Sequence, residues 1–206
     1  KTGRVEVQHA ELVAAESKLA SLLRNGDFEQ SAAGYPANWG KPQSYGYFAP
    51  RGYYRFNTWH NTGFPNRGPV GSDGLVTHGG GQSLKMVVAA GDEKSVASDP
   101  IILNQQQPRL IEVSAWVKTD HLNALNIEAF DEKGRRLDGC IFMHKAPVSV
   151  GTDDWRQIRQ VFRPREAVQS IKLLLCARGV NGYTLDDTGM QPQANVVGTV
   201  WWDDVS

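Results

Sequence analysis

The sequence predicts an all-β protein, an antiparallel β-sandwich of the jelly-roll kind preceded by a short N-terminal helix. Three observations carry this. From Asn25 onward, short apolar runs are divided by Gly, Pro, Asn and Asp, the pattern of strands and turns. One run, "RLIEVSAWVKT" (109–119), alternates so that Ile111, Val113, Ala115 and Val117 fall on one face. Strand-like and helix-like segments do not take turns along the chain, as a parallel βαβ sheet would require. With 206 residues, 40% of them hydrophobic, the chain suits one such domain with a buried core and a short appendage.

The elements follow in order. Residues 9–24, "HAELVAAESKLASLLR", carry the helical pattern: Leu12, Ala15, Leu19, Leu22 and Leu23 recur at helical spacing among good helix formers. This divides the chain into 1–24, a helical linker or the tail of a preceding region, and 25–206, the β domain. Short strands are expected near 25–30, 45–56 and 96–103, and a longer one at "SLKMVVAA" (83–90). "ALNIEAFD" (124–131) ends in the turn "DEKG" and leads to "DGCIFMH" (138–144), which reads as a hairpin. "WRQIRQVFRP" (155–164) puts Ile158 and Phe162 on one parity, and "SIKLLLCAR" (170–178) is apolar on both, as a central strand can be. "VVGTVWWDDV" (196–205) closes the set. There Val200 and Trp202 share a parity and face the core, sending Asp203 to the opposite side, while Val205 breaks the parity and predicts a bulge at the aspartates.

Composition excludes some functions. Twenty-two basic and 22 acidic residues give zero net charge, so nothing favours nucleic acid or an anionic membrane. No apolar run approaches the roughly 18–20 residues of a membrane helix. Lys1 leads straight into polar sequence, as it would if a secretory signal had preceded it. Cys140 and Cys176 sit in apolar runs, either as buried thiols, the better reading, or as an inter-strand disulfide. With no C-x-x-C pair, a cysteine zinc site is not expected.

Two connections are longer than a minimal sandwich needs, 45–81 and 179–197. The first holds Tyr45, Tyr47, Tyr53, Tyr54, Phe56, Trp59 and His60, interleaved with Arg51, Arg55 and Asn57. Sugars present apolar C–H faces rimmed by hydroxyls. A flat ring covers the face, and Asn, Arg or His fixes the hydroxyls. Tyr47, Tyr53, Tyr54, Arg55, Asn57, Trp59 and His60 are therefore the candidate carbohydrate-binding residues. The competing reading is a small satellite core, and alternation in "GYYRFNTW" lets one face pack while the other binds. A second candidate surface is the concave sheet, with Glu128, Asp138 or His144. Asp186 and Asp187 could flank either surface or only make turns. Trp116 and Trp155 are read as packing residues, and Trp39 as packing near the domain edge.

The motifs, taken in order, carry a resemblance. "LLRNGDFEQ" (22–30) is followed by "GYPANW" (34–39), "GGGQSLKM" (79–86), "IEVSAWVKT" (111–119), "DDWRQIRQVFRP" (153–164), "IKLLLCARG" (171–179) and "GTVWWDDVS" (198–206). Over residues 25–206 this resembles the calcium-containing, galactose-binding-like jelly-roll carbohydrate-binding modules attached to xylanases and endoglucanases. The resemblance implies that the last strand lies near the first and that both ends hold a structural Ca²⁺. Because Ca²⁺ takes six to eight oxygens, backbone carbonyls must join the carboxylates. The matching positions are Asp27, Glu29, Ser83, Lys85, Asp203 and Asp204. Glu29 and Asp203 would give side chains, and Asp27 and Lys85 mainly backbone oxygens. Without that resemblance, the aspartate pair reads simply as solvated residues at a strand end.

Catalysis is not expected. There is no G-x-S-x-G, no H-E-x-x-H and no phosphate-binding loop, and "GGGQS" precedes a strand rather than a helix. A jelly-roll polysaccharide lyase using Tyr54, Arg55 and His60 is the catalytic alternative. The expectation is a non-catalytic carbohydrate-binding module, secreted or on the cell surface, that targets a larger glycan-active protein to polysaccharide or oligosaccharide. The rival is a structural domain whose loops dock neighbouring domains of the parent chain.

Overall fold

In the computed structural model the described residues are 21–40, 43–44, 69–89, 93–122, 124–139, 151–179, 183–186, 189–192 and 197–206. Their elements are all strands: β1 (Ser31–Ala32), β2 (Tyr35–Pro36), β3 (Gln43–Ser44), β4 (Val70–Asp73), β5 (Ser83–Ala89), β6 (Glu93–Ala97) and β7 (Ile101–Ile102). They continue with β8 (Ile111–Leu122), β9 (Ala124–Asp131), β10 (Gly151–Phe162), β11 (Ser170–Arg178), β12 (Tyr183–Asp186), β13 (Gly189–Pro192) and β14 (Val197–Asp203). All pairings are antiparallel. The first sheet runs β10–β8–β14–β5–β4. The second runs β3–β6–β11–β9, with β7 beyond β6 on the same flank of β11. The two sheets stack as a sandwich, as the alternation predicts.

Alternation also sets the core. Trp202 stands opposite Val117 and Leu84, and Val200 opposite Met86, all facing the second sheet. From that sheet Ile127, Ala129, Leu173 and Leu175 face back. Each is nearly inaccessible to solvent, and full burial of such a side chain contributes roughly 1.5–3 kcal/mol. The hand-over at the end of β14 follows the predicted bulge. Asp204 takes a left-handed conformation (φ 46°) and returns Val205 to the core.

Residues 25–28 meet the end of β14, but not as one strand beside another. Residues 25–28 form a turn rather than the expected strand, with Asn25 and Phe28 at positive φ (51° and 57°). The reason is local. Asn25 Nδ2 donates to the carbonyls of Gln30 and Ala37, and its Oδ1 accepts from Gln30 N–H, so the side chain does what a ladder partner would do. The turn drops Phe28 into the core beside Trp39, ring centroids 5.2 Å apart. Trp39 is thus a core residue rather than an edge residue. Gly26 then accepts from Val205 N–H at 2.8 Å, and a Cβ at Gly26 would collide with the Val205 carbonyl.

Two other expectations need restating. β9 does enter the turn at "DEKG", with Gly134 N–H donating to Asp131 O, but its full-length partner is β11. The returning strand bridges only Phe130 to Arg136 and Asp138 to Arg163 within the described residues. Of the predicted helix, only 21–24 are described, and these form a bend entering the turn. Within 179–197, β12 and β13 form a hairpin. Cys176 is buried in β11, and Cys140 lies outside the described residues.

Candidate functional site

Four of the carboxylates singled out from the sequence, Asp27, Glu29, Asp203 and Asp204, gather around the loop before β5. Asp203, fully buried, accepts backbone N–H bonds from His78 (2.8 Å) and Gly79 (3.2 Å) on Oδ2 and from Asp204 (2.8 Å) on Oδ1. Glu29 reaches the same loop, with Oε1 accepting from Gly81 N–H (2.8 Å) and Gln82 N–H (3.0 Å). The loop before β5 is therefore clamped at four of the five positions 78–82, by Glu29 just after the N-terminal turn and Asp203 of β14. Gly80, the position left out, has φ 59°, and a Cβ there would strike the Glu29 carboxylate. Burial pushes the Asp203 carboxyl above its ordinary value, and the three N–H bonds offset this only in part.

The other expected ligands are distributed around this clamp. Asp27 lies in the adjacent turn, its Oδ1 3.5 Å from Glu29 N. Ser83 Oγ donates to Val76 O (2.6 Å). The Lys85 ammonium points away to Asp73 (3.1 Å). Asp204 Oδ2 lies 2.8 Å from His78 Nδ1, a bond in which the ring nitrogen donates because a carboxylate has no proton to give. The donor chemistry is hard oxygen, which suits Ca²⁺. Among the described residues no three His, Cys, Asp or Glu side chains converge on one point. The residues therefore fit calcium only in the form where two carboxylates are completed by backbone carbonyls.

Two aromatic groups cover the outer face of the first sheet. His78 stacks on Trp116 at 3.9 Å and 14°, with Trp155 edge-on at 5.6 Å. Trp116 and Trp155 are half-buried, and both contact His78. One sheet position over, Trp201 is buried although it points away from the core. Its Nε1 donates to Asp73 Oδ2 (2.9 Å), and Lys85 Nζ sits 5.3 Å above its ring. Burial raises the Asp73 carboxyl, but bonds from Trp201, Leu75 and Lys85 more than offset it and hold it below its ordinary value. His78 and Asp73 were not singled out from the sequence. The signal for Asp73 was indirect, since a buried tryptophan N–H on an outward position needs an acceptor.

The second sheet has a polar row on its outward face. Asn126 and Glu128 alternate with the core residues of β9, and Asn126 Nδ2 donates to Glu128 Oε1 (3.3 Å). Arg136 Nη2 lies 3.1 Å from Glu128 Oε1. The row is closed at its centre, with Asn126 and Glu128 8% and 4% exposed, and opens at its margin through Arg136. Asp138 sits past that margin, bonded to Arg165 (2.7 Å). The candidate sugar-contacting residues Tyr47, Tyr53, Tyr54, Arg55, Asn57, Trp59 and His60 lie outside the described residues, as do His144 and Asp187. What is described is where their stretch begins: β3, which pairs with β6 at this sheet's edge, ends at Ser44.

No known protein family and no curated protein sequence matches the chain. Solved structures do share its fold. The enzymatically active domain of tailspike protein 4 of bacteriophage CBA120 superposes with TM-score 0.50 at 13% identity, over 86% of this chain and 21% of that one. An arabinose-bound α-L-arabinofuranosidase superposes with TM-score 0.51 at 15% identity, over 90% of this chain and 26% of that one. The carbohydrate-binding module TmCBM61, solved with β-1,4-galactotriose, covers 89% of this chain and 94% of its own at 11% identity and TM-score 0.47. This chain therefore spans about a fifth to a quarter of the two larger proteins. At such identities the likeness establishes one thing, the antiparallel sandwich.

Proposed function

We propose that this chain is a non-catalytic carbohydrate-binding domain that holds a larger, secreted or cell-surface, glycan-active protein on polysaccharide or oligosaccharide. The observation that carries the reading is the placement of β3. This strand forms the edge of the second sheet opposite β9, which carries Asn126 and Glu128, and the aromatic-rich stretch follows directly on Ser44 in the sequence. Tyr47, Tyr53, Tyr54 and Trp59 would cover sugar faces, and Arg55, Asn57 and His60 would hold hydroxyls. Tethering then raises the local concentration of substrate around the parent protein. The arabinose-bound neighbour is compatible with this reading without naming the sugar. Isothermal titration against xylans, glucans, mannans, galactans and host glycans tests it. Binding to at least one is expected, weakened about ten-fold or more by Trp59→Ala or Tyr54→Ala, and silence across the panel overturns it.

A structural Ca²⁺ at the clamp belongs to the same reading. Glu29 and Asp203 would supply carboxylate oxygens, Asp27 and Lys85 backbone oxygens, with Ser83 and Asp204 beside them. A metal that binds only the folded state raises the melting temperature by mass action. Added calcium should raise melting and a chelator should lower it; melting indifferent to both removes the ion from the account.

One observation favours a second reading, a domain that docks its neighbours. Where residues 21–23 enter, a cavity of about 560 Å³ is lined by Leu22, Leu23, Ile101, Leu103 and Ile111. Leu22, Ile102 and Leu110 are 66, 58 and 65% exposed around it. Leu22→Asp with Leu110→Asp should then disturb packing against a neighbouring domain and leave glycan titrations unchanged.

A further inference from the structure

A second cavity lies where the β9 turn meets the end of β10. Its volume is about 460 Å³, room for one or two sugar units. Four guanidinium groups line it, from Arg135, Arg136, Arg163 and Arg165, against three carboxylates, Asp131, Asp138 and Glu166. On the lining itself four positive charges stand against three negative, and Glu128 pairs with Arg136 behind it.

Asp131 and Glu166 fix Arg135, and Asp138 fixes Arg165, without exhausting either. Arg135 gives Nε to Asp131 (2.7 Å) and Nη2 to Glu166 (3.1 Å), keeping Nη1. Among the described residues Arg165 gives only Nε, to Asp138, keeping both Nη groups, and its side chain is 84% exposed. Arg163 has its backbone tied to Asp138, and its side chain makes no ion pair among the described residues. A guanidinium held by Nε with both Nη groups left, as Arg165 is, can bond two oxygens of a carboxylate or a tetrahedral oxyanion at once. Pro164 supplies the accessible apolar surface beside the arginines, with Leu137 and Val168 buried beneath it. Arg136 joins the cavity to Glu128 and so to the outward face of the second sheet.

We propose that this arginine-lined cavity takes the anionic group of an acidic saccharide, a uronate carboxylate or a sulfate ester, at the end of a glycan lying along the margin of the second sheet. The inference rests on the glycan reading above and narrows it to acidic glycans. The experiment titrates the full chain with oligogalacturonate, with the same oligosaccharide after carboxyl reduction, and with a sulfated galactan beside its desulfated form. The charged form should bind at least about ten-fold tighter than its neutral counterpart, and added salt should erode that preference. Whichever charged chain shows the larger preference identifies the anion. Arg163→Ala with Arg165→Ala should abolish the preference while leaving thermal melting and the neutral chain's affinity unchanged. Equal binding of charged and neutral chains overturns the inference and leaves the glycan reading standing. A preference that survives the double substitution places the anion elsewhere and also overturns it. Silence toward all four chains overturns the inference and leaves the glycan reading to the wider panel above.

Discussion

The clamp on the first sheet and the arginine cavity beside the second use the same acid in opposite ways. Asp203 is surrounded by backbone N–H groups, which are fixed and uncharged, and burial wins: its carboxyl is raised. Asp131 is almost as hidden, and burial raises it too. It nonetheless gains N–H bonds from Arg135 and Lys133 together with the Arg135 guanidinium, and these more than offset burial and hold it below its ordinary value. The difference teaches what each region can receive. A carboxylate neutralised by amides alone still favours a proton or a cation. One neutralised by a guanidinium is already answered, and the arginine's leftover donors favour an anion.

The comparison can be broken most forcefully at Asp203. Asp203→Ala leaves three N–H groups without an acceptor in a buried site, and urea denaturation should show a loss of about 3–5 kcal/mol. If the loss is negligible, the clamp does not hold the loop. Glu29→Ala acts at an exposed position on two N–H groups, and about 1–2 kcal/mol is expected in the same experiment. On the other side, Arg135→Ala removes half-exposed ion pairs and leaves Asp131 its backbone donors, so the smallest loss of the three is expected.

Acidity sharpens the contrast with smaller effects of opposite sign. Asp131 is held low, so its contribution is complete above the unfolded carboxylate range and fades as pH falls through its own folded value. Asp203 is held high, so its folded form keeps a proton the unfolded form has lost, and its contribution fades as pH rises just above that range. Melting curves from acid to neutral pH should therefore lose part of their acid-side drop in Asp131→Asn. In Asp203→Asn they should lose a decline on the rising side. Identical profiles for the two variants would show that the environments do not differ as described.

How much of this could be read from the sequence depends on how local the cause is. β5, β8, β10, β11 and β14 lie where alternation or apolar density put them, because a two-residue period follows from which face meets the core. The Val205 parity break was legible for the same reason. Residues 25–28 were not, because a run such as "NGDFE" resembles a strand until Asn25 turns its side chain onto Gln30 and Ala37. At the clamp, Glu29 and Asp203 were legible as a pair through the resemblance. Their use on the amides of 78–82 was not, since no residue spacing encodes which backbone a carboxylate will meet. The arginine cavity brings 131–138 against 163–168 through one bridge between Asp138 and Arg163, a tertiary pairing with no periodic signature.

β14 is late in the chain yet sits in the middle of its sheet, between β8 and β5. While the polypeptide is being synthesised, β5 and β8 must wait with open edges until residues 197–203 leave the ribosome. Those edges are templates for mispairing with other chains. The first sheet is thus completed in a single late insertion, and a nascent chain stalled before residue 197 is the species a chaperone would have to protect.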